Sequence, residues 1–334
     1  MNTDLLAASQ TLLDNIGKPI SLEPPTPQPV GSGEQPNSIK GSRFHYLSEK
    51  AAHALIAALS SGRPLLILGE PGIGKTRLAL AAARLLKHKY LKAVVQPQTE
   101  YHELLWSFDH TRRLAAAHSK NFEHDEDEDA SARYICPGPL WWALNPADAS
   151  QKKYSRHSYQ PDSSYYKDKR DAATVLLIDE VDKADVNSLA LGLLEVLGEE
   201  QFLVPQLGRV ISSNGPPPLV IFTSNKTREL PPAFIRRCTV LNLELKEPIS
   251  DYLITLGKQH YQWNAADNNA DQQEDVLKQA AKLIADDRAE SHRLPRSGVA
   301  EFIDLLDALR ELSDQPEQQL VWLDRVGRYF CKSH

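Results

Sequence analysis

With 334 residues the chain is long enough for two domains and a substantial apolar core. Its 41% hydrophobic and 25% charged residues are ordinary for a globular protein, and no apolar run approaches the length of a membrane span. The net charge of −6 argues against a surface given over to nucleic acid, and Cys136, Cys238 and Cys331, without a CxxC pair, suggest neither a disulfide framework nor a zinc site. No basic-then-apolar leader pattern opens the sequence, so the expected compartment is a reducing cytoplasm, with no membrane partner.

Asp4 to Ile16 puts Leu5, Leu6, Leu12, Leu13 and Ile16 loosely on one side of a predicted short helix. Pro19 to Pro36 is proline-rich and carries Gly31 and Gly33, which predicts a semi-extended linker, as suited to a mobile tail as to a docking peptide. Residues 1–40 are therefore set apart from the folded body. Leu47 to Leu59 is helical in pattern and leads into Leu65-Leu66-Ile67-Leu68, an all-apolar run expected of a strand buried on both faces.

The next stretch, Gly69-Glu70-Pro71-Gly72-Ile73-Gly74-Lys75-Thr76, satisfies G-x-x-x-x-G-K-[ST] in full. Its glycines let the backbone turn tightly and aim successive N–H groups inward, a concave anion site at a helix N-terminus. Lys75 is placed to reach β- and γ-phosphates, and the Thr76 hydroxyl to ligate Mg²⁺. Arg77, grouped with the loop as nucleotide-binding, opens a helix to Leu86 that is rich in Ala and Leu.

Leu91 to Val95 predicts a second buried strand, followed by a crowd of Tyr101, Leu104, Leu105, Trp106 and Phe108. Glu123 to Asp129 is a like-charge block, read as a solvated loop in preference to a metal site. Tyr134 to Leu144, apolar around Pro137-Gly138-Pro139, predicts a hairpin or a turn entering a helix. Gln151 to Asp171 interleaves Lys152, Lys153, Arg156, Lys167, Lys169 and Arg170 with four tyrosines, a composition able to stack on and neutralise single strands. Asp162, Asp168 and Asp171 dilute that charge and favour a disordered insertion.

Thr174 to Ile178 is a further apolar run, ending in Asp179-Glu180. Carboxylates at the end of a parallel strand lie where open α/β sheets bind ligands. Asp179 suits Mg²⁺ held through water, and Glu180 suits a general base that polarises an attacking water. Asp185 to Leu197 is an amphipathic helix stopped by Gly198, and Phe202 to Ser212 alternates around Gly208 like a hairpin. Leu219 to Thr223 is another strand; beyond it the Asn225 amide could contact a γ-phosphate or orient water, or simply turn the chain. Leu230 to Cys238 is a proline-started helical turn closing on Arg236 and Arg237, which can stabilise a phosphoryl group held by a neighbouring subunit or pair with surface carboxylates. After a last strand at Thr239 to Leu243, four helical segments follow at Ile249–Gln262, Glu274–Asp286, Val299–Leu312 and Gln319–Phe330. Arg296 precedes the third, where it could reach into a nucleotide cleft.

Taken in this order the pieces resemble an AAA+ ATPase. Gly69 to Thr76 matches Walker A, Val175 to Glu180 Walker B, and Asn225 sensor 1; Arg236 and Arg237 fall where arginine fingers lie, and Arg296 where a sensor 2 arginine opens a lid helix. The resemblance covers about Leu47 to Phe330. The gap between Lys75 and Asp179 is far longer than a minimal core needs, and within it Tyr134 to Leu144 resembles the Gly-Pro-Leu segment of the MoxR-type, helix-2-insert branch. The hairpin at Phe202 to Ser212 suits that branch too.

The resemblance implies a P-loop α/β core with a parallel sheet over residues 41–246, carrying insertions near 121–171, and a small all-α lid over 247–334. It implies ATP with Mg²⁺, and a ring, commonly a hexamer, with Lys75, Glu180, Asn225 and a neighbour's Arg236 or Arg237 as catalytic residues. Members of the branch act as remodelling or maturation chaperones on a client or adaptor, often one with a von Willebrand factor A domain. Two other functions stay open: a McrB-like motor on nucleic acid through Gln151 to Asp171, and a nucleotide-gated scaffold of a defence or signalling complex. No residue decides between ATP and GTP. The pattern has no acceptor site that would make it a kinase.

Overall fold

The computed structural model describes residues 2–22, 44–118, 132–152, 159–162, 172–260, 270–290 and 296–332. Helix α1 (Asn2–Asp14) packs through Leu12 and leads to strand β1 (Pro19–Ser21), which pairs antiparallel with β2 (Phe44–Tyr46). The start of the expected linker is thus a strand. Pro19 occupies its first position, where the missing N–H is tolerated, and Ile20 is buried. The rest of that linker lies outside the described residues. Helix α2 (Glu49–Ser61) starts where the Ser48 side chain accepts a hydrogen bond from the Ala51 N–H and stops at Gly62 in the left-handed region.

Strand β3 (Leu65–Leu68), helix α3 (Lys75–Leu85) and strand β4 (Lys89–Val94) follow. Strands β5 (Trp106–Phe108) and β6 (Ile135–Pro137) pair antiparallel, with α4 (His110–His118) between them in sequence. Pro139 then opens α5 (Pro139–Leu144), so of the two expectations for Tyr134 to Leu144 the turn into a helix holds and the hairpin does not, its strand pairing instead with the distant β5. After α6 (Pro146–Ser150) come β7 (Thr174–Asp179), α7 (Val186–Glu199), the hairpin β8 (Gln201–Val204) and β9 (Arg209–Ser212), then β10 (Leu219–Ser224). The acidic block at 123–129 and most of the tyrosine–lysine tract lie outside the described residues. Helix α8 (Pro232–Arg236) and strand β11 (Thr239–Asn242) precede the helical region of α9 (Ile249–His260), α10 (Ala270–Glu290), α11 (Val299–Leu312) and α12 (Pro316–Val326).

Five strands make one parallel sheet in the order β11-β3-β10-β7-β4. Every residue of β7 and β10 is buried, as expected of strands covered on both faces. Leu65, Ile67, Val175, Leu177 and Ile221 face α2 and α3, while Leu66, Leu176, Ile178, Val220 and Phe222 face α5 and α7. That alternation is the period-2 pleat. Because β10 lies between β3 and β7, whatever ends β10 stands between the glycine loop and the acidic pair. The C-terminal helices close over their own cluster, including Leu253, Leu277, Ile284, Phe302, Leu305 and Leu309. Among the described residues no helix is long and apolar enough to cross a membrane.

Candidate nucleotide site

The loop after β3 has the conformation its glycines allow: Gly72 and Gly74 stand at φ 77° and 99°, positions strained for any residue with a Cβ. No side chain caps α3 at Gly74, so its first turn stays open to an anion. Lys75 is buried, and its Nζ donates to the carbonyls of Gly69 (2.7 Å) and Glu70 (2.8 Å) and to Asn225 Oδ1 (2.6 Å). Burial lowers its pKa, against the pull of the carboxylates of Asp179, Asp182, Glu180 and Glu70.

Thr76 Oγ1 donates to Asp179 Oδ2 at 3.0 Å. The other Asp179 oxygen accepts from Thr223 Oγ1 at 2.5 Å, and Lys92 Nζ lies 3.1 Å from Oδ2. A hydroxyl and a carboxylate side by side are the hard oxygen donors that Mg²⁺ takes alongside water and phosphate, so the residues present fit that ion. Glu180 follows with φ 61° and ψ 47°, a left-handed conformation rare outside glycine and concentrated at functional sites. Its N–H donates to Thr223 Oγ1 at 2.9 Å, and its carboxylate takes Lys183 Nζ at 2.5 Å and Asn225 Nδ2 at 3.1 Å. The Asn225 amide therefore spans the loop lysine and the strand-end glutamate.

Asn225 is itself held by Asp182. This buried carboxylate accepts from the N–H groups of Asn225 (3.3 Å) and Thr227 (2.9 Å) and from Thr227 Oγ1 (2.6 Å). Burial alone would raise its pKa, but the hydrogen bonds from Thr227 and Asn225 outweigh it and hold the group below the usual carboxylate value.

Pro71, Gly72, Gly74, Lys75, Thr76, Arg77, Asp179, Glu180 and Asn225 line one side of a cleft whose other side is Val299, Ala300, Ile303 and Asp304 of α11. The helix rests on the loop so closely that a Cβ on Gly72 would lie 2.7 Å from Ala300 Cβ. Gly69 and Ile73 complete the loop, a Cβ at Gly69 being forbidden by the Leu243 carbonyl 2.7 Å away. Arg236 and Arg237 are exposed and do not line this cleft. Arg296 is exposed as well and also stands outside it. The arginine that reaches the loop from the helical region is Arg288 of α10, whose Nη2 lies 2.7 and 2.8 Å from the two oxygens of Glu70.

Sequence reasoning missed Lys92, Asp182, Thr223 and Arg288. Asp182 carried a faint signal, a third acid two residues after Glu180. Arg288 carried none, because Asp286-Asp287-Arg288-Ala289-Glu290 reads as a solvated helix face.

A parallel sheet, a glycine loop opening a helix, and an acidic pair ending a nearby strand define a P-loop nucleoside triphosphatase. The chain belongs to the AAA domain family, dynein-related subfamily, whose sequence profile matches residues 64–238. AAA+ proteins are nucleotide-hydrolysing ATPases that bind ATP with Mg²⁺ and commonly assemble into rings. Among solved structures the chain is similar to a proline-to-glycine mutant of RuvB from Thermotoga maritima, at 14% identity and a TM-score of 0.44, over 83% of this chain and 68% of that one. No curated protein matches it.

Proposed function

We propose that the chain hydrolyses ATP with Mg²⁺ and uses the cycle to remodel, mature or assemble a partner protein, as a MoxR-type AAA+ chaperone working in a ring, most simply a hexamer. Residues 41–246 would form the nucleotide-binding core and 247–334 its helical lid. The observation that carries hydrolysis is the Asn225 bridge, which ties a phosphate-loop lysine to a carboxylate that lines the same cleft. Lys75 would leave the loop carbonyls for the β- and γ-phosphates, Glu180 would take the proton of the attacking water, and Asn225 would orient that water. Thr76 and Asp179 would hold Mg²⁺, which would supply charge neutralisation on the phosphates. Arg236 or Arg237 would act on the nucleotide of a neighbour, and exposed Arg296 would reach a nucleotide only after the lid shifts. The MoxR-type branch is supported by Gly138-Pro139-Leu140 opening α5 against the sheet and by the β8–β9 hairpin after α7.

Glu180→Gln tests the hydrolytic half. It should hold Mg²⁺–ATP with affinity close to wild type while phosphate release falls by about 10²-fold or more. Undiminished release by that variant would remove Glu180 from its role. The remodelling half is tested by trapping the native complex with this variant and identifying what it retains. A protein client retained only with ATP supports it, and nucleic acid retained in a salt-dependent manner points instead to a motor.

A further inference from the structure

The ion pair between Glu70 and Arg288 joins the phosphate loop to α10 and is absent from the site as read by motif. Its two halves are held unequally. The Arg288 side chain is only 10% exposed, and its Nη1 donates to the Ser297 carbonyl at 3.1 Å. Ser297 is fully buried and donates through Oγ to Asp287 Oδ2, which also accepts the Lys332 N–H at 2.9 Å. The guanidinium is thus fixed from the helical side. The Glu70 side chain is 41% exposed and bonded to nothing else among the described residues, so it is the half free to leave. Its own backbone carbonyl binds Lys75 Nζ, so the pair adjoins the phosphate loop, behind the residues that line the cleft itself.

A bound triphosphate changes the balance at this spot. It repels the Glu70 carboxylate and offers Arg288 a pair of anionic oxygens, as the carboxylate now does. We propose that Glu70 is an internal stand-in for nucleotide phosphate: it keeps Arg288 poised at the loop while the site is empty and yields it when nucleotide enters. Arg288 is then a further nucleotide-positioning residue, and Glu70 is its competitor. The proposal rests on the nucleotide reading above.

Competition gives the two residues opposite signs. An ion pair open to solvent on its Glu70 side contributes at most about a five-fold factor, so Glu70→Gln should tighten Mg²⁺–ATP binding by about two- to five-fold. Arg288→Ala removes a charge-assisted contact and should weaken binding by about 10-fold or more, with Arg288→Lys in between. Titration of a fluorescent ATP analogue into wild type, the three single variants and the Glu70→Gln/Arg288→Ala double variant decides the matter. The gain from Glu70→Gln should vanish when Arg288 is already Ala. A gain that persists there is simple removal of negative charge and overturns the exchange, as do single variants that both weaken binding. A folding defect cannot imitate the expected result, since a damaged protein does not bind more tightly. If wild type binds no nucleotide, the nucleotide reading falls and takes the exchange with it, whereas same-direction shifts overturn the exchange alone.

Discussion

Asp182 illustrates how a residue outside the motif governs one inside it. Three hydrogen bonds converge on its carboxylate and fix the turn that carries Asn225 between Lys75 and Glu180. Asp182→Asn keeps the shape but loses the charge-assisted part of those bonds, and should cost about 2 kcal/mol of stability at neutral pH. Turnover should fall further than nucleotide affinity, because Lys75 keeps its loop partners while the Asn225–Glu180 geometry slackens. The pH dependence has a definite sign. A carboxyl held below its ordinary 3.8 in the folded protein contributes stability that is present above that value and lost as pH falls through the lowered one. Thermal unfolding of wild type and variant between pH 3 and 7 should therefore show a constant gap at the neutral end that closes below about pH 4. A gap independent of pH would mean that the charge of Asp182 plays no part.

At the scale of elements, the controlling contact is α11 against the phosphate loop. On α11, Phe302, Leu305, Leu306 and Leu309 pack into the helical cluster, Val299 and Ile303 border both that cluster and the cleft, and Ala300 looks onto the cleft. Ala300 abuts Gly72 with no room to spare. Ala300→Leu should leave the helix folded, since its anchoring face is untouched, but push it off the loop at a cost of about 1–3 kcal/mol. Circular dichroism should be unchanged and ATP affinity lowered; equal affinity would show that nucleotide binds away from α11. The parts of this site that motif reading found, the loop, Asp179-Glu180 and Asn225, each end an apolar run buried on both faces, and such runs announce themselves locally. Strand β1 did not, because three residues beginning with proline acquire strand geometry only from Phe44 to Tyr46, more than twenty residues on. Lys92 and Arg288 were invisible for a related reason. Each looks like an ordinary solvated charge until the fold brings it to Asp179 or Glu70. The site's chemistry is local in sequence, and its tuning is not.

For the whole molecule, the position of Arg236 and Arg237 carries the strongest consequence. Their short helix is not loosely attached: Phe234 is fully buried, with its ring 5.0 Å from that of Phe222 on β10, the strand that ends at the nucleotide cleft. The arginines are thereby fixed to the sheet, yet they are exposed and absent from their own cleft. On the proposed ring reading, cations fixed outside the cleft of their own chain would serve another copy's. Arg236→Ala with Arg237→Ala should keep nucleotide binding and lower turnover by a factor approaching 10³ or more. Glu180→Gln should be inactive for the opposite reason, with intact arginines and a dead base. Mixing the two inactive proteins separates the cases. If the arginines act across an interface, a site with its own Glu180 but no arginines regains activity beside a Glu180→Gln subunit, and an equal mixture recovers up to about a quarter of wild-type turnover. If they act within one chain, every site in the mixture lacks either base or arginine, and nothing is recovered. In the first case, turnover of wild type should also rise more steeply than protein concentration where the assembly dissociates, because a separated chain would then have only half of its site.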